Sequence, residues 1–95
     1  MTNNMFEKLA KAIVYKYTLH RIKKTDQEIA KKLTIDDVYI VWSCKTLQNN
    51  KAMVSTNVID GMYYEVTHNG DTKEIYLDAY KKVDNIPIDV SKWEG

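Results

Sequence analysis

Val38-Tyr-Ile-Val-Trp-Ser-Cys-Lys-Thr-Leu47, Ala52-Met-Val-Ser-Thr-Asn-Val58, Met62-Tyr-Tyr-Glu-Val-Thr-His68 and Glu74-Ile-Tyr-Leu-Asp-Ala-Tyr80 are four β-prone runs in succession. Each is rich in β-branched and aromatic residues and bounded by turn residues, the signature of consecutive antiparallel strands. Asn49-Asn50 reads as a two-residue hairpin turn, since Asn tolerates positive φ. Asp60-Gly61 is a stronger signal of the same kind, and Asn69-Gly70-Asp71 supplies a third.

These turns set a register. A turn at Asn49-Asn50 places Trp42 opposite Asn57 and Cys44 opposite Ser55. A turn at Asp60-Gly61 places Asn57 opposite Tyr64 and Ser55 opposite Val66. For the third hairpin, an Asn69-Gly70 loop sets Glu65 against Glu74, which like-charge repulsion disfavours. A Gly70-Asp71 loop sets Val66 against Ile75 and Tyr64 against Leu77, and is preferred.

Side chains alternate between the faces of a strand. One face then collects Val38, Ile40, Trp42, Cys44, Met53, Ser55, Met62, Tyr64, Val66, Ile75, Leu77 and Ala79, and is expected to form the core. The other collects Tyr39, Val41, Ser43, Lys45, Leu47, Val54, Thr56, Val58, Tyr63, Glu65, Thr67, Glu74, Tyr76, Asp78 and Tyr80. Tyrosine presents a large apolar body with a polar tip, which suits a surface that binds while staying hydrated. Tyr39, Lys45, Tyr63, Tyr76 and Tyr80 are therefore the candidate binding residues. The competing reading is that a second protomer or the C-terminal segment shields this face.

Outward from the sheet, Phe6, Leu9, Ala10, Ile13, Tyr17 and His20 recur at helical spacing. They predict a helix from about Asn4 to Lys23, capped by Asn3 or Asn4 and lying on the sheet. Tyr15, Leu19 and Ile22 fall off this stripe. Thr25-Asp-Gln-Glu28 has capping-box form and opens a short second helix, Asp26 to about Leu33, whose Ile29 and Leu33 would cover Leu19 and Ile22. Beyond Tyr80, Ile86, Ile88 and Val90 alternate around Pro87, which cannot donate a ladder hydrogen bond. This segment reads as an edge strand or extended flank, with Ser91 to Gly95 frayed and Trp93 free to dock.

The fold expected is α+β: an N-terminal helix, with a second short helix, packed on a four-stranded antiparallel meander sheet with a possible fifth edge strand. The 95 residues form one domain, helical over 4–33, sheet over 38–80 and extended over 81–95. Hydrophobic residues make up 44% and charged residues 28%, as in ordinary globular chains. The single cysteine excludes an internal disulfide and fits a reducing compartment. No apolar run reaches the ~18 residues of a membrane span, and Met1-Thr-Asn-Asn-Met lacks the apolar core of a signal peptide. A cytoplasmic location, without membrane partners, is expected.

The chemistry of catalysis is thin. His20, His68 and Cys44 are the whole soft-ligand inventory, so no metal site is expected. His68 lies two strands from Cys44 in the register above, about 10 Å away and too far for a nucleophile–base pair. No Gly-rich phosphate loop exists, and no cofactor is expected. The tyrosine face resembles in outline a sheet that stacks nucleobases, but Lys45 stands there against Glu65, Glu74 and Asp78, the wrong balance for phosphate. Residues 1–33 hold eight Lys or Arg against three acids, and residues 34–95 six against ten. Two solvated faces explain that asymmetry, and a basic helix that touches an anionic partner is the alternative.

Val41-Trp-Ser-Cys-Lys-Thr-Leu-Gln-Asn-Asn-Lys-Ala52, Asp60-Gly-Met-Tyr-Tyr-Glu-Val66, Asn69-Gly-Asp71 and Tyr76-Leu-Asp-Ala-Tyr-Lys-Lys82 resemble an uncharacterised family of small proteins. Phages and prophages of Gram-positive bacteria encode that family. The resemblance covers about the middle half of the chain and carries over no catalytic or binding residue. It implies a phage accessory protein in the bacterial host cytoplasm. The function expected is non-enzymatic: binding, and modulating or inhibiting, a host or defence protein through the tyrosine-rich face or a sheet edge. A homodimer is a further expectation. The alternative is a binder of a small nucleotide or nucleic acid through Tyr and Lys side chains.

Overall fold

A computed structural model describes residues 1–93. Helix α1, Asn3–Lys23, is followed by the short α2, Gln27–Lys32, and a 3-10 turn, Ile35–Asp37. Four strands follow: β1, Val38–Thr46; β2, Asn49–Thr56; β3, Met62–Asn69; and β4, Glu74–Lys81. They form one antiparallel meander in the order β1-β2-β3-β4, with α1 packed on one face and α2 packed against α1. The molecule is a flat two-layer α+β fold, about 19 Å through its thinnest dimension.

The helix that forms is the one its periodicity requires, turned slightly from the expected stripe. Phe6, Ala10, Val14, Thr18 and Ile22 are buried, an uninterrupted i, i+4 row. Leu9 and Tyr17, expected in the stripe, remain partly exposed on its flank, and His20 is exposed. The cap is Thr2, whose side chain accepts the Met5 N–H at 3.1 Å, rather than Asn3 or Asn4. Asp26 caps α2 by accepting the Ile29 N–H, so the Thr25/Glu28 box does not form. Ala30 and Leu33 are buried, whereas Ile29 is exposed.

Register is where the structure departs most from the expectation. The β1–β2 turn is Leu47-Gln48, with Leu47 at φ 57°, and Asn49-Asn50 belong to β2. Moving that turn by two residues shifts the β1–β2 pairing by four and exchanges no faces. What turns β2 over is its pairing with β3: residues 57–61 form the connection in place of a two-residue Asp60-Gly61 turn, and Ala52 meets Val66 and Val54 meets Tyr64, three residues from the expected register. Ala52, Val54 and Thr56 then face the helix and are buried, where the expected pairing would have placed Met53 and Ser55. Burying the more apolar row overrides the local turn preference of Asp60-Gly61, since an odd slip exchanges the two faces. Val54 and Thr56, expected on the outer face, are core residues.

A second device acts in β1. Pairing runs Ile40 with Val54 and then Trp42 with Met53, leaving Val41 as a bulge. The bulge reverses the alternation. Val38 and Ile40 point to the helix as expected, but Trp42 and Cys44 point away from it, and Ser43 and Lys45 take the helix side. Trp42, expected in the core, is 41% exposed, and Cys44 is exposed.

In the third hairpin the loop is Gly70–Lys73, with Lys73 at φ 59°. Val66 meets Leu77 and Tyr64 meets Ala79, two residues from the expected register but on the same faces. Glu65 consequently stands opposite Asp78, a like-charge pair of the kind the sequence argument sought to avoid. Lys51 relieves it through a 3.0 Å ion pair with Glu65. Gly70 is required by packing: a Cβ there would lie 2.2 Å from the Gln48 carbonyl oxygen.

The core consists of Phe6, Ala10, Val14, Val38, Ala52, Val54, Tyr64 and Val66. Each large member contributes about 1.5–3 kcal/mol by leaving water. At the far end of α1, Arg21 pairs with Asp60 of the β2–β3 connection. Asp60 also accepts the Met62 N–H at 3.0 Å, so one carboxylate anchors both α1 and the start of β3. No fifth strand forms among the described residues. The segment Val83–Trp93 is extended and exposed, with a short 3-10 turn at Val90–Trp93, and Glu94 and Gly95 lie outside the described residues.

Candidate functional site

The helices cover one face of the sheet only. Tyr39, Trp42, Tyr63, Tyr76 and Tyr80 are gathered on the other, and none of the described residues lies over them. Tyr63 and Tyr80 are cross-strand partners whose rings stack at 5.1 Å with an interplanar angle of 16°. Met53 lies opposite both Trp42 on β1 and Glu65 on β3, so it joins the tryptophan to the charged centre. Four of the five expected binding residues, Tyr39, Tyr63, Tyr76 and Tyr80, thus share this face.

Lys45 does not. The bulge at Val41 carries it to the helix side, opposite Asn50. Its place among the tyrosines is taken by Lys51, which the sequence argument had not placed on a face. The Glu65 hydrogen bond and charge hold the Lys51 ammonium above its ordinary value. The Glu74 hydrogen bond raises the Tyr76 phenol, and the Asp78 and Glu65 charges raise that of Tyr80. Both phenols stay protonated and available as donors through neutral pH. One cation stands on this face against Glu65, Glu74 and Asp78, so it is acidic as well as aromatic.

Trp42 is the residue the sequence argument assigned wrongly and the site needs most. Strict alternation put it in the core, and only the bulge brings it out. No sequence signal marks Val41 as the extra residue. Cys44 follows Trp42 onto the open face, whereas His68 lies on the helix side, so the two cannot form a nucleophile–base pair.

The helix side holds a polar network that sequence reasoning missed. Asn50 is almost fully buried, donates to Asn3 Oδ1 at 3.3 Å and pairs through its own Oδ1 with His68 Nδ1 at 3.2 Å. With that oxygen as the acceptor, Nδ1 carries the proton and Nε2 is the open nitrogen. Asn3 also donates to the Ser43 hydroxyl at 3.0 Å, and Ser43 donates to Glu7. Every link satisfies a polar group at the junction of α1 and the sheet, which gives the network a structural reason. Lys45, His68 and Lys73 line a shallow cleft of about 390 Å³ beside it. A second cleft of about 400 Å³ between α2 and the β2–β3 connection is lined by Ile29, Leu33, Val58 and Ile59.

Among the described residues, no three His, Cys, Asp or Glu side chains are grouped to hold a metal ion. No helix of the described residues is long and apolar enough to cross a membrane.

The geometry defines a small two-layer α+β protein whose four-stranded antiparallel sheet presents an uncovered aromatic face. The chain belongs to the family of unknown function DUF6275, whose family model matches residues 7–90. That match takes in α1 from Glu7 onward and the segment as far as Val90, well beyond the middle half on which the sequence resemblance rested. No curated protein and no solved structure matches the chain.

Proposed function

We propose that this protein is a non-enzymatic binding protein that captures a protein partner on the open face of its sheet. The observation that supports this reading is the uncovered grouping of Trp42 with Tyr39, Tyr63, Tyr76 and Tyr80. Tryptophan and tyrosine dominate the energetics of protein interfaces because they bury large area with few rotatable bonds. The three carboxylates around Lys51 favour a partner with a basic rim around an apolar centre. The sequence resemblance to phage-encoded proteins supports a setting in a bacterial host cytoplasm, with a host or defence protein as the partner to be modulated.

The nucleotide or nucleic-acid reading loses support from the geometry. It requires a lysine free to meet phosphate beside the tyrosines, whereas Lys45 lies on the other face and Lys51, which stands among them, is paired with Glu65. Stacking aromatics without phosphate-binding cations lack the charge that carries most nucleic-acid affinity.

The test is affinity capture from host lysate by the 95-residue chain, with and without nuclease, compared with a Trp42→Ser/Tyr76→Ser variant. Capture that survives nuclease, depends weakly on salt and disappears in the variant supports the reading. Cys44 supplies an internal reporter, because its exposed thiol should lose reactivity when the face is occupied. Capture abolished by nuclease, or retained by the variant with Cys44 still reactive, overturns it.

A further inference from the structure

The two sheet edges are not alike. β1 is interrupted by the bulge at Val41, a device that twists an edge away from further pairing. β4 pairs with β3 without interruption from Met62↔Lys81 to Asn69↔Glu74, and its other side has no neighbour. It therefore offers a straight row of free backbone donors and acceptors. On the helix side this edge carries Ile75 and Leu77, only partly buried, and the exposed Ala79. The flank of α1 that turns toward β3, where Tyr17 meets Tyr64 edge-on at 5.7 Å, leaves Leu9 and Tyr17 part-exposed above it.

The segment after β4 has the complementary pattern. Ile86, Ile88 and Val90 alternate with Pro87 and Asp89, and none is covered; Ile88, the least exposed of the three, stands at 63%. Backbone N–H directions alternate with the side chains. If Ile86, Ile88 and Val90 direct their N–H groups to a neighbouring edge, Pro87 falls where no donor is needed. The proline then faces outward and stops the sheet from adding another strand.

The segment does not seat itself on its own β4. The Lys82 N–H bonds to the Gly61 carbonyl at 2.7 Å, which continues the line of β4 past its last strand residue. From Val83 the chain runs outward, and the described residues show no hydrogen-bonded reversal before Asp89. The eleven residues Val83–Trp93 reach roughly 36 Å when extended, enough to span the roughly 27 Å of β4 in another molecule.

Size points the same way. A folded monomer of 11.1 kDa exposes about 5,700 Å² by the usual scaling. This chain exposes 7028 Å². The difference is of the order that one side of a specific interface buries. The radius of gyration, 15.9 Å, likewise exceeds the roughly 12 Å of a compact chain of this length.

We propose that two copies of this chain exchange these segments, Ile86–Val90 of each pairing as a fifth strand along the β4 edge of the other. The acceptor and the arm belong to the same chain, so a two-fold exchange satisfies both at once and closes without further growth. Ile86, Ile88 and Val90 then meet Ile75, Leu77 and Ala79 on the helix side. The open aromatic face is left free, so this surface is distinct from the one proposed for the partner.

The experiment is light scattering and sedimentation of the full 95-residue chain over a wide concentration range. Two variants accompany it: Ile86→Asp/Ile88→Asp, which spoils the arm, and Ala79→Lys, which spoils the edge. The wild type is expected to be a dimer, and each variant a monomer with unchanged circular dichroism. Mixing the variants should restore a heterodimer, because one intact arm then meets one intact edge. A monomeric wild type overturns the proposal, as does a dimer that persists in the arm variant, which would signify β4–β4 or face-to-face association. Failure of the mixture to form a heterodimer overturns exchange as well. Should Ala79→Lys fail to fold, the arm variant decides alone, because its substitutions lie outside the core.

Discussion

Trp42 stands directly opposite Met53 on the uncovered face of the sheet, one residue beyond the bulge at Val41. The indole is 41% exposed and makes no part of the core beneath α1. Trp42→Ala should therefore lower stability by about 2 kcal/mol, the share of a full Trp truncation that corresponds to the area the sheet surface covers. Tyr64→Ala, at a fully buried position, should cost about 3–5 kcal/mol. Denaturant melts of the two variants check this. The same geometry predicts that Cys44 in the free folded protein reacts with a thiol reagent at nearly the rate of an unfolded control. Slow labelling would mean that the face is covered.

Arg21 and Asp60 join the end of α1 to the β2–β3 connection, and Asp60 is the more buried of the two. Burial alone would lower the Arg21 guanidinium, but its interactions with Asp60 and with the Tyr64 phenol together outweigh it and hold it above its ordinary value. Arg21 retains substantial exposure, so solvent screening limits the strength of the pair. Arg21→Ala should cost about 1–2 kcal/mol, between the ranges of surface and buried pairs. Asp60→Ala should cost more, because it also releases the Met62 N–H. A double-mutant cycle with a coupling energy indistinguishable from zero would show that the pair is incidental.

Element order was legible in the sequence because it rests on long, strongly patterned segments. The α1 periodicity, the Asp26 start of α2 and the four strands all survive in the structure. Face assignment was not legible, because it depends on parity, and parity changes with a single residue. The Asp60-Gly61 signal is a genuine local preference, yet the two-residue turn it implies loses to burial of Ala52 and Val54 against Val66 and Tyr64. Val41 looks no different from its neighbours, and its extra residue exchanges Trp42 and Cys44 for Ser43 and Lys45. The tyrosines of β3 and β4 were placed correctly because that hairpin slipped by two, which preserves parity. Lys45 was misplaced because the bulge precedes it.

Asp37 sits at the corner between the 3-10 turn and β1. Its carboxylate accepts the Thr34 N–H at 2.9 Å and the Asn57 side chain at 3.3 Å, and these bonds hold it below its ordinary value. A depressed folded value means that the contribution is complete above the unfolded value, about pH 3.9, and is lost as pH falls through the folded one. The denaturant midpoint of the wild type should therefore drop on acidification below about pH 4. Asp37→Asn should start lower and change less over the same interval. Parallel curves for the two proteins would sink this account.

The bulge makes a sharper prediction than any side chain. With Val41 removed, Ile40 would join directly to Trp42. The alternation would then run Val38 in, Tyr39 out, Ile40 in, Trp42 out and Ser43 in, as it does now. Deletion of Val41 should thus keep every other residue of β1 on its present face, where deletion within a regular strand would exchange the faces beyond it. Val41 is exposed and contributes nothing to the core, so stability should change by no more than about 1 kcal/mol. The edge, however, would lose the irregularity that turns it from further pairing, and the variant should associate more readily through β1 than the wild type does. Deletion of Glu65, an outward residue in the regular part of β3, serves as the control and should unfold the protein, because it exchanges the faces of the strand beyond it. Thermal melts and light scattering of the two deletions decide it: if loss of Val41 is as damaging as loss of Glu65, the bulge is not a spare residue, and the outward placement of Trp42 needs another cause.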